Sequence, residues 1–299
     1  MRKRGSMARN ATHNQAAKSE NETGGRLYVV ATPIGNLEDI TLRALRILAE
    51  VDLIAAEDTR HTRKLLSHFD IHTKQISYHK EKEAARADEI IEILKTGRNV
   101  ALVSDAGTPA ISDPGAILVD RTRAAGLEVV PIPGPAALTA ALSVAGLGND
   151  PFVFLGFLPG RVAQRRNLLT TLTFAPQNIV FYEAPHRIPA CLQDCLEIFG
   201  DRPAFWGREL TKIHEELITG PLSALIATAT ARQAVKGESV LIISKAAPEN
   251  KTATTDLVEL LTWYRDHSDL SLKDAVRKIA DDLGQPRSRI YQEALKIWL

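Results

Sequence analysis

The sequence predicts two successive α/β domains followed by a small helical extension, and three observations carry that reading. From residue 26 onward, short β-branched apolar runs alternate with stretches whose apolar residues recur at helical spacing, the pattern of a parallel sheet covered on both faces. A polar, turn-rich break, GLGNDP at 146–151, separates this alternation from a second one. After residue 247 the composition turns polar, and only helical periodicity follows. The expected divisions are a disordered tail at 1–25, an N-terminal α/β domain at 26–146, a C-terminal α/β domain at 151–246 and a helical extension at 252–299.

Taken in order, the first 25 residues carry almost no large apolar side chains and cannot bury a core, and Met7 is available as an alternative start. Strands are expected at 27–31, 52–56, 75–78 and 99–103, with helices at 40–49, 59–68, 82–96 and, beyond an open loop, from 116. A fifth strand at 128–132 and a helix at 136–145 complete the first alternation. The second domain has shorter connections and is read as mixed in strand direction. Its expected strands lie at 152–157, 178–182, 203–207 and 239–244, with helices at 162–172, 188–199 and 222–231. In the extension, Ser271 with Asp274 makes a near capping box ahead of a stripe of Leu272, Ala275, Val276, Ile279, Ala280 and Leu283. Gly284 stops that helix, and Pro286 suits the first turn of another carrying Ile290, Ala294 and Leu295. The pair reads equally as a helix-turn-helix or as a packed hairpin.

Composition removes several function classes. Across 299 residues, 37 basic side chains face 36 acidic ones, for a net charge of +1, so an anionic partner must be held by local patches. Cys191 and Cys195, one helical turn apart, are too few for a zinc site, and no metal is expected. No run is long enough to span a membrane, and no apolar segment follows Arg2, Lys3 and Arg4, so a cytoplasmic location is expected. The first strand-to-helix turn holds one glycine where a dinucleotide fingerprint needs three, and neither a GxxxxGK[ST] loop nor a GxSxG elbow is present.

What remains is three loops rich in proline, glycine and threonine, each at the end of an expected strand: ATPIGN at 31–36, SDAGTPAISDPG at 104–115 and PIPGPAA at 131–137. Ligands of open α/β sheets sit at the carboxyl ends of strands. Backbone carbonyls and small residues without a phosphate cradle suit a cationic or zwitterionic ligand with an adenosine end, which puts S-adenosylmethionine ahead of other nucleosides. Basic motifs at 60–64, 161–166 and 186–187, with the helical tail, favour RNA as the partner. Two polar motifs at strand ends, FYEAPHR at 181–187 and RELTKIHEE at 208–216, gather Glu183, His186, Arg187, Arg208, Glu209, Lys212 and His214, among which the base is left open.

Seven motifs in order, ATPIGNL, AEDTRHTRKLL at 56–66, SDAGTPAISDPG, PGPAALTAALSVAGL at 133–147, GFLPGR at 156–161, FYEAPHR and RELTKIHEE, closely resemble the bacterial small-subunit ribosomal RNA methyltransferase I family. That family belongs to the tetrapyrrole methylase superfamily, the class III methyltransferases. The resemblance runs from about residue 27 to 295. It implies two α/β domains of the class III type, S-adenosylmethionine bound between them, a homodimer, and 2′-O-methylation of a cytidine ribose in 16S rRNA at the decoding centre of the small ribosomal subunit. Carried over residue by residue, it implies cofactor contacts from Pro33, Asp105, Ala106, Gly107, Thr108, Ile111, Ser112, Pro135, Ala136 and Ala137, with Phe157 and Leu210 walling the adenosine and Gly35 shaping the floor. Glu183, Arg187 and Lys212 are the expected catalytic residues, and Arg60, Arg63, Lys64, Arg161, Arg165, Arg166 and His186 the expected RNA contacts. The chain departs from the family's usual pattern at Ser244 and Lys245, where a glycine is common, and in the arginine-rich RVAQRR at 161–166. The alternatives are a class III enzyme acting on a tetrapyrrole or a modified amino acid, and a non-catalytic RNA-binding protein that responds to the cofactor.

Overall fold

The structure, a computed structural model, describes residues 24–148, 150–246, 257–268, 270–283 and 286–298. The expected disordered tail falls almost wholly outside these residues, as does the helix stop at Gly284. The chain divides into two compact units: the residues up to Val144 together with Gly207–Glu216, and Ala145–Trp206 together with Leu217–Leu299.

The first unit is built on β1 (Arg26–Val30), β2 (Leu53–Ala56), β3 (Gln75–Ser77), β4 (Val100–Val103) and β5 (Glu128–Ile132), all parallel, in the order β3-β2-β4-β1-β5. Its helices are α1 (Leu42–Glu50), α2 (Thr59–His68), α3 (Glu83–Lys95), α4 (Ala116–Ala124) and α5 (Ala137–Val144). Every residue of β2 and β4 is buried, as unbroken apolar runs require when helices cover both faces. Ile54, Ala56, Ala101 and Val103 face Ala44, Ile47 and Leu48 of α1 and Leu65 and Leu66 of α2. Their strand neighbours Leu53, Ala55, Val100 and Leu102 face Ala87, Ile90 and Leu94 of α3 and Leu118 of α4. From β1 the chain crosses β4 to reach β2, and from β4 it crosses β1 to reach β5. Right-handed crossovers running in opposite directions put α1 and α4 on opposite faces, which opens a crevice at the carboxyl ends of β1 and β4.

The second sheet contains β6 (Phe152–Phe157), β7 (Asn178–Glu183), β8 (Pro203–Arg208), β9 (Glu216–Pro221) and β10 (Ser239–Ile243), in the order β6-β7-β10-β8-β9. Strand β7 runs parallel to β6 and antiparallel to β10, the mixed direction the sequence suggested. A register break between Phe154 and Phe157, with Gly156 at φ 63°, bulges β6. Strand β9 was not expected: it is an edge strand of alternating half-buried and exposed residues, with Gly220 and Pro221 in place of an apolar run. Helices α6 (Val162–Thr170), α7 (Ile188–Phe199) and α8 (Leu222–Thr230) cover a core that includes Phe181, Leu192, Trp206, Leu225 and Leu241.

The extension is three helices rather than the two singled out in the sequence: α9 (Leu257–His267), α10 (Leu272–Leu283) and α11 (Arg287–Trp298) share a core of Leu261, Val276, Ile279, Ala280, Ile290 and Ala294. Ser271 Oγ accepts from Asp274 N at 3.3 Å and donates to the Asp274 carboxylate at 2.6 Å, the expected cap. Among the described residues no helix is long and apolar enough to cross a membrane, and no group of three or more His, Cys, Asp or Glu is placed to hold a metal ion.

Candidate active site

Just beyond the crevice between β1 and β4, Thr32 N donates to Gly107 O at 2.8 Å and Gly107 N donates to Thr32 O at 2.9 Å, an antiparallel bridge between the loops that leave two parallel strands. The buried Thr32 hydroxyl donates to Ser104 O at 3.2 Å, and Thr108 Oγ1 donates to Pro135 O at 3.3 Å, which ties in the loop after β5. The three loops read from sequence are therefore one hydrogen-bonded assembly. Within it Gly107 sits at φ 80°, Ala110 at 66° and Ser112 at 71°; the last two are left-handed conformations that side chains disfavour. Such strain persists only where surrounding contacts over-determine the backbone, and it collects at ligand sites.

The contacts are visible at both ends of the central loop. At its start, Asp105 Oδ1 accepts from Asp58 N at 3.1 Å, and Asp105 N donates to Glu57 Oε2 at 3.3 Å, so the acidic end of β2 holds it. The Asp58 carboxyl is itself held down at about 2 by hydrogen bonds from the Arg60 side chain and backbone. At its end, Gly115 N donates to Glu83 Oε1 at 2.8 Å, and the same oxygen accepts from the fully buried Tyr78 hydroxyl at 3.2 Å. Burial, then the Glu83 carboxylate, pushes the Tyr78 phenol well above its ordinary range. Pro33 is buried beneath the assembly; Asp105, Ala106, Thr108, Pro135, Ala136 and Ala137 are partly exposed, and Ile111 and Ser112 are open to solvent. The surface thus combines backbone and mostly small side chains with the Asp105 carboxylate, which suits a cationic ligand.

The segment Gly207–Glu216 lies against the first of these loops. Asn36 N donates to Thr211 Oγ1 at 3.1 Å, and a Cβ on Gly35 would overlap Lys212 Cγ and meet Thr211 Oγ1 at 2.9 Å and Leu210 O at 3.0 Å. Only glycine admits that approach. The turn is strained, with Glu209 at φ 52° and Thr211 at 64°, and heavily bonded: Thr211 N donates to Glu215 Oε2 at 2.6 Å, Lys212 Nζ pairs with Glu209 Oε1 at 2.8 Å, and Arg208 pairs with Glu216 at 2.8 Å. Leu210, an expected adenosine wall, is buried here; Phe157, its expected counterpart, belongs to the second unit and stands exposed at the β6 bulge, edge-on to Tyr182.

Two expected catalytic residues are placed differently from Lys212. Glu183 is fully buried; Oε1 accepts from Ala184 N at 2.8 Å and pairs with Arg187 Nε at 3.0 Å, while Oε2 has no hydrogen-bond partner. Arg187 Nη2 donates to Leu158 O and Pro159 O, both at 2.9 Å. A sealed carboxylate and a guanidinium committed to two carbonyls brace the turn after β6. The Lys212 side chain is exposed. Of the expected RNA contacts, Arg60, Arg63, Lys64, Arg161 and His186 are exposed, and Arg166 is partly exposed between Asp194 and Glu197 at 2.7 and 2.6 Å. Arg165 is a correction: it is 3% exposed and paired at 2.6 Å with Asp194 of α7, so its charge is spent inside the second unit. Cys191 and Cys195 are buried, and the contact with Cys195 together with burial pushes the Cys191 thiol up, which leaves it unreactive.

The Tetrapyrrole (Corrin/Porphyrin) Methylases family matches residues 26–226. A protein of Xylella fastidiosa strain Temecula1 named ribosomal RNA small subunit methyltransferase I is 46% identical over 271 residues, spanning 90% of this chain and 98% of its own. One of the same name from Vibrio cholerae is 50% identical over 274 residues, spanning 90% and 94%. Among solved structures, a diphthine synthase aligns with a TM-score of 0.59 at 16% identity over 74% of this chain and 90% of that one. Uroporphyrin-III C-methyltransferase from Thermus thermophilus, complexed with S-adenyl homocysteine, aligns at 0.53 and 18% identity over 73% and 97%. These structural likenesses carry the fold, and the near full-length identities carry the narrower grouping. The chain belongs to the tetrapyrrole methylases and, within them, to the ribosomal RNA small subunit methyltransferase I family.

Proposed function

We propose that the protein transfers a methyl group from S-adenosylmethionine to the ribose 2′-hydroxyl of a cytidine in 16S rRNA, at the decoding centre of the small ribosomal subunit, acting as a cytoplasmic homodimer. The observation that carries this reading is the 46% and 50% identity, over nearly the whole chain, to proteins named as small-subunit ribosomal RNA methyltransferases. The interlocked loops fit the cofactor: Gly107 brings backbone close without a side chain, and Asp105 supplies the negative charge that a sulfonium or ammonium calls for. The cofactor supplies an electrophilic methyl group.

In this reading the backbone from Asp105 to Ser112, flanked by Pro135, Ala136 and Ala137, seats the cofactor, Pro33 shapes the floor, and Leu210 and Phe157 wall the adenosine. Aligning the 2′-oxygen with the methyl group removes most of the entropic barrier. The hydroxyl is a weak acid, so as its oxygen attacks, its proton must pass to a base or to water, and the negative charge left on the oxygen must be met. Lys212, exposed beside Gly35 and steered by Glu209, is assigned that task; Glu183 and Arg187 are assigned to positioning the turn that precedes the exposed Arg161. Arg60, Arg63, Lys64, Arg161, Arg166 and His186 take phosphates. Methylation at a pyrimidine carbon commonly needs a thiol nucleophile, and both cysteines are locked in the second unit's core, which supports ribose over a pyrimidine carbon.

The test is to incubate the protein with methyl-labelled cofactor and either small subunits or free rRNA, then digest and identify the labelled nucleoside. Label in 2′-O-methylcytidine is expected, with Lys212→Ala lowering turnover at least about ten-fold at unchanged cofactor affinity. Label on a base, on protein or on a tetrapyrrole overturns the ribose assignment.

A further inference from the structure

Ile213 is 98% exposed, and Lys212 and His214 on either side of it are exposed as well. A lone exposed apolar residue on an ordinary loop needs no explanation. This one stands on a rigid mount. Glu209 and Thr211 are held in left-handed conformations, Thr211 N is tied to Glu215, and Lys212 N and Glu215 N close the turn with bonds of 3.0 Å to Glu209 O and Lys212 O. The other side of the same turn touches Gly35 and Asn36, and Ile34 next to them lies 3.5 Å from where a Gly107 side chain would begin. The apolar tip is therefore fixed a few residues from the loop assigned to the cofactor.

Resting on the rRNA reading above, we propose that Ile213 is a specificity-determining contact for the RNA: its side chain lies against the base beside the target nucleotide, next to the ribose that Lys212 serves. A ribose hydroxyl can be aligned only if its nucleotide is splayed from the stack, which leaves a neighbouring base face bare. An apolar side chain on a rigid support replaces the lost stacking partner. Lysine is depleted in the cores of protein interfaces, and Arg63 and Lys64 of α2 add exposed positive charge to the same unit, so RNA is favoured over a second copy of the chain.

The experiment measures steady-state methylation of small subunits by the wild-type protein, Ile213→Ser and Ile213→Met, together with cofactor affinity by calorimetry and mass by light scattering. Ile213→Ser is expected to raise KM for subunits about ten-fold with kcat, cofactor affinity and mass unchanged, and Ile213→Met to restore KM. An unchanged KM overturns the proposal while leaving the function standing. A change of mass overturns it in favour of a contact between copies, and a loss of cofactor affinity overturns it in favour of a role in the cofactor site. No label transfer to subunit RNA by the wild-type protein removes the function and this proposal together.

Discussion

Gly35 has no room for a side chain because the turn carrying Leu210, Thr211 and Lys212 occupies that space. Gly35→Ala is expected to push the turn away, break the bond from Asn36 N to Thr211, and cost about 1–3 kcal/mol in urea denaturation, with cofactor affinity falling alongside. In the sequence this residue was visible as the single glycine of a dinucleotide fingerprint that fails and, by resemblance, as part of the cofactor floor, but its contact with the distant turn was not. The strain at Glu209, Thr211 and Ala110 was invisible there, since none of these residue types announces a left-handed backbone. Arg161 and Arg165 also looked equivalent, four residues apart on one basic segment. What separates them is Asp194, far along the chain on α7, and no local pattern marks that pairing.

At the scale of elements, the buried parallel strands were the legible part, because helices on both faces force unbroken apolar runs. Strand β9 was not, since an edge strand with half its residues exposed and a Gly-Pro end looks like a loop. Helix α9 was passed over within a segment read only as helical. Also hidden was the link from Tyr78, just after β3, through Glu83 at the start of α3 to Gly115 at the start of α4. It gives a pH signature. The phenol's pKa is raised in the folded protein, mainly by burial, so the folded state keeps its proton at pH values where the unfolded chain has begun to lose it. This contribution is complete below about pH 10, the unfolded tyrosine value, and declines as pH rises beyond it, by up to about 1.4 kcal/mol per unit. Tyr78→Phe is expected to cost about 1 kcal/mol at pH 8 through the lost hydrogen bond, and to lose less stability than the wild type between pH 10 and 11. Urea melts of both proteins at the three pH values check the slopes.

For the whole molecule, the three-helix extension has a core of its own, and Lys273, Lys278 and Arg289 are exposed around it. A chain ending at Pro248 is expected to keep cofactor affinity and to bind small subunits at least about ten-fold more weakly, measured by calorimetry and filter binding. Equal subunit binding would make the extension a packing element. The grouping of Gly207–Glu216 with residues up to Val144 has a consequence for synthesis. A nascent chain that has emerged only to Val144 holds all five parallel strands, yet the space beside Gly35 is bare and Asn36 N lacks its partner. At the usual pace of elongation the missing segment arrives on the order of several seconds later. The order of translation therefore delays the finished site until the Ala145–Trp206 part of the second unit has been made, and two independently expressed halves cut at the middle of the chain would each carry an incomplete set of groups.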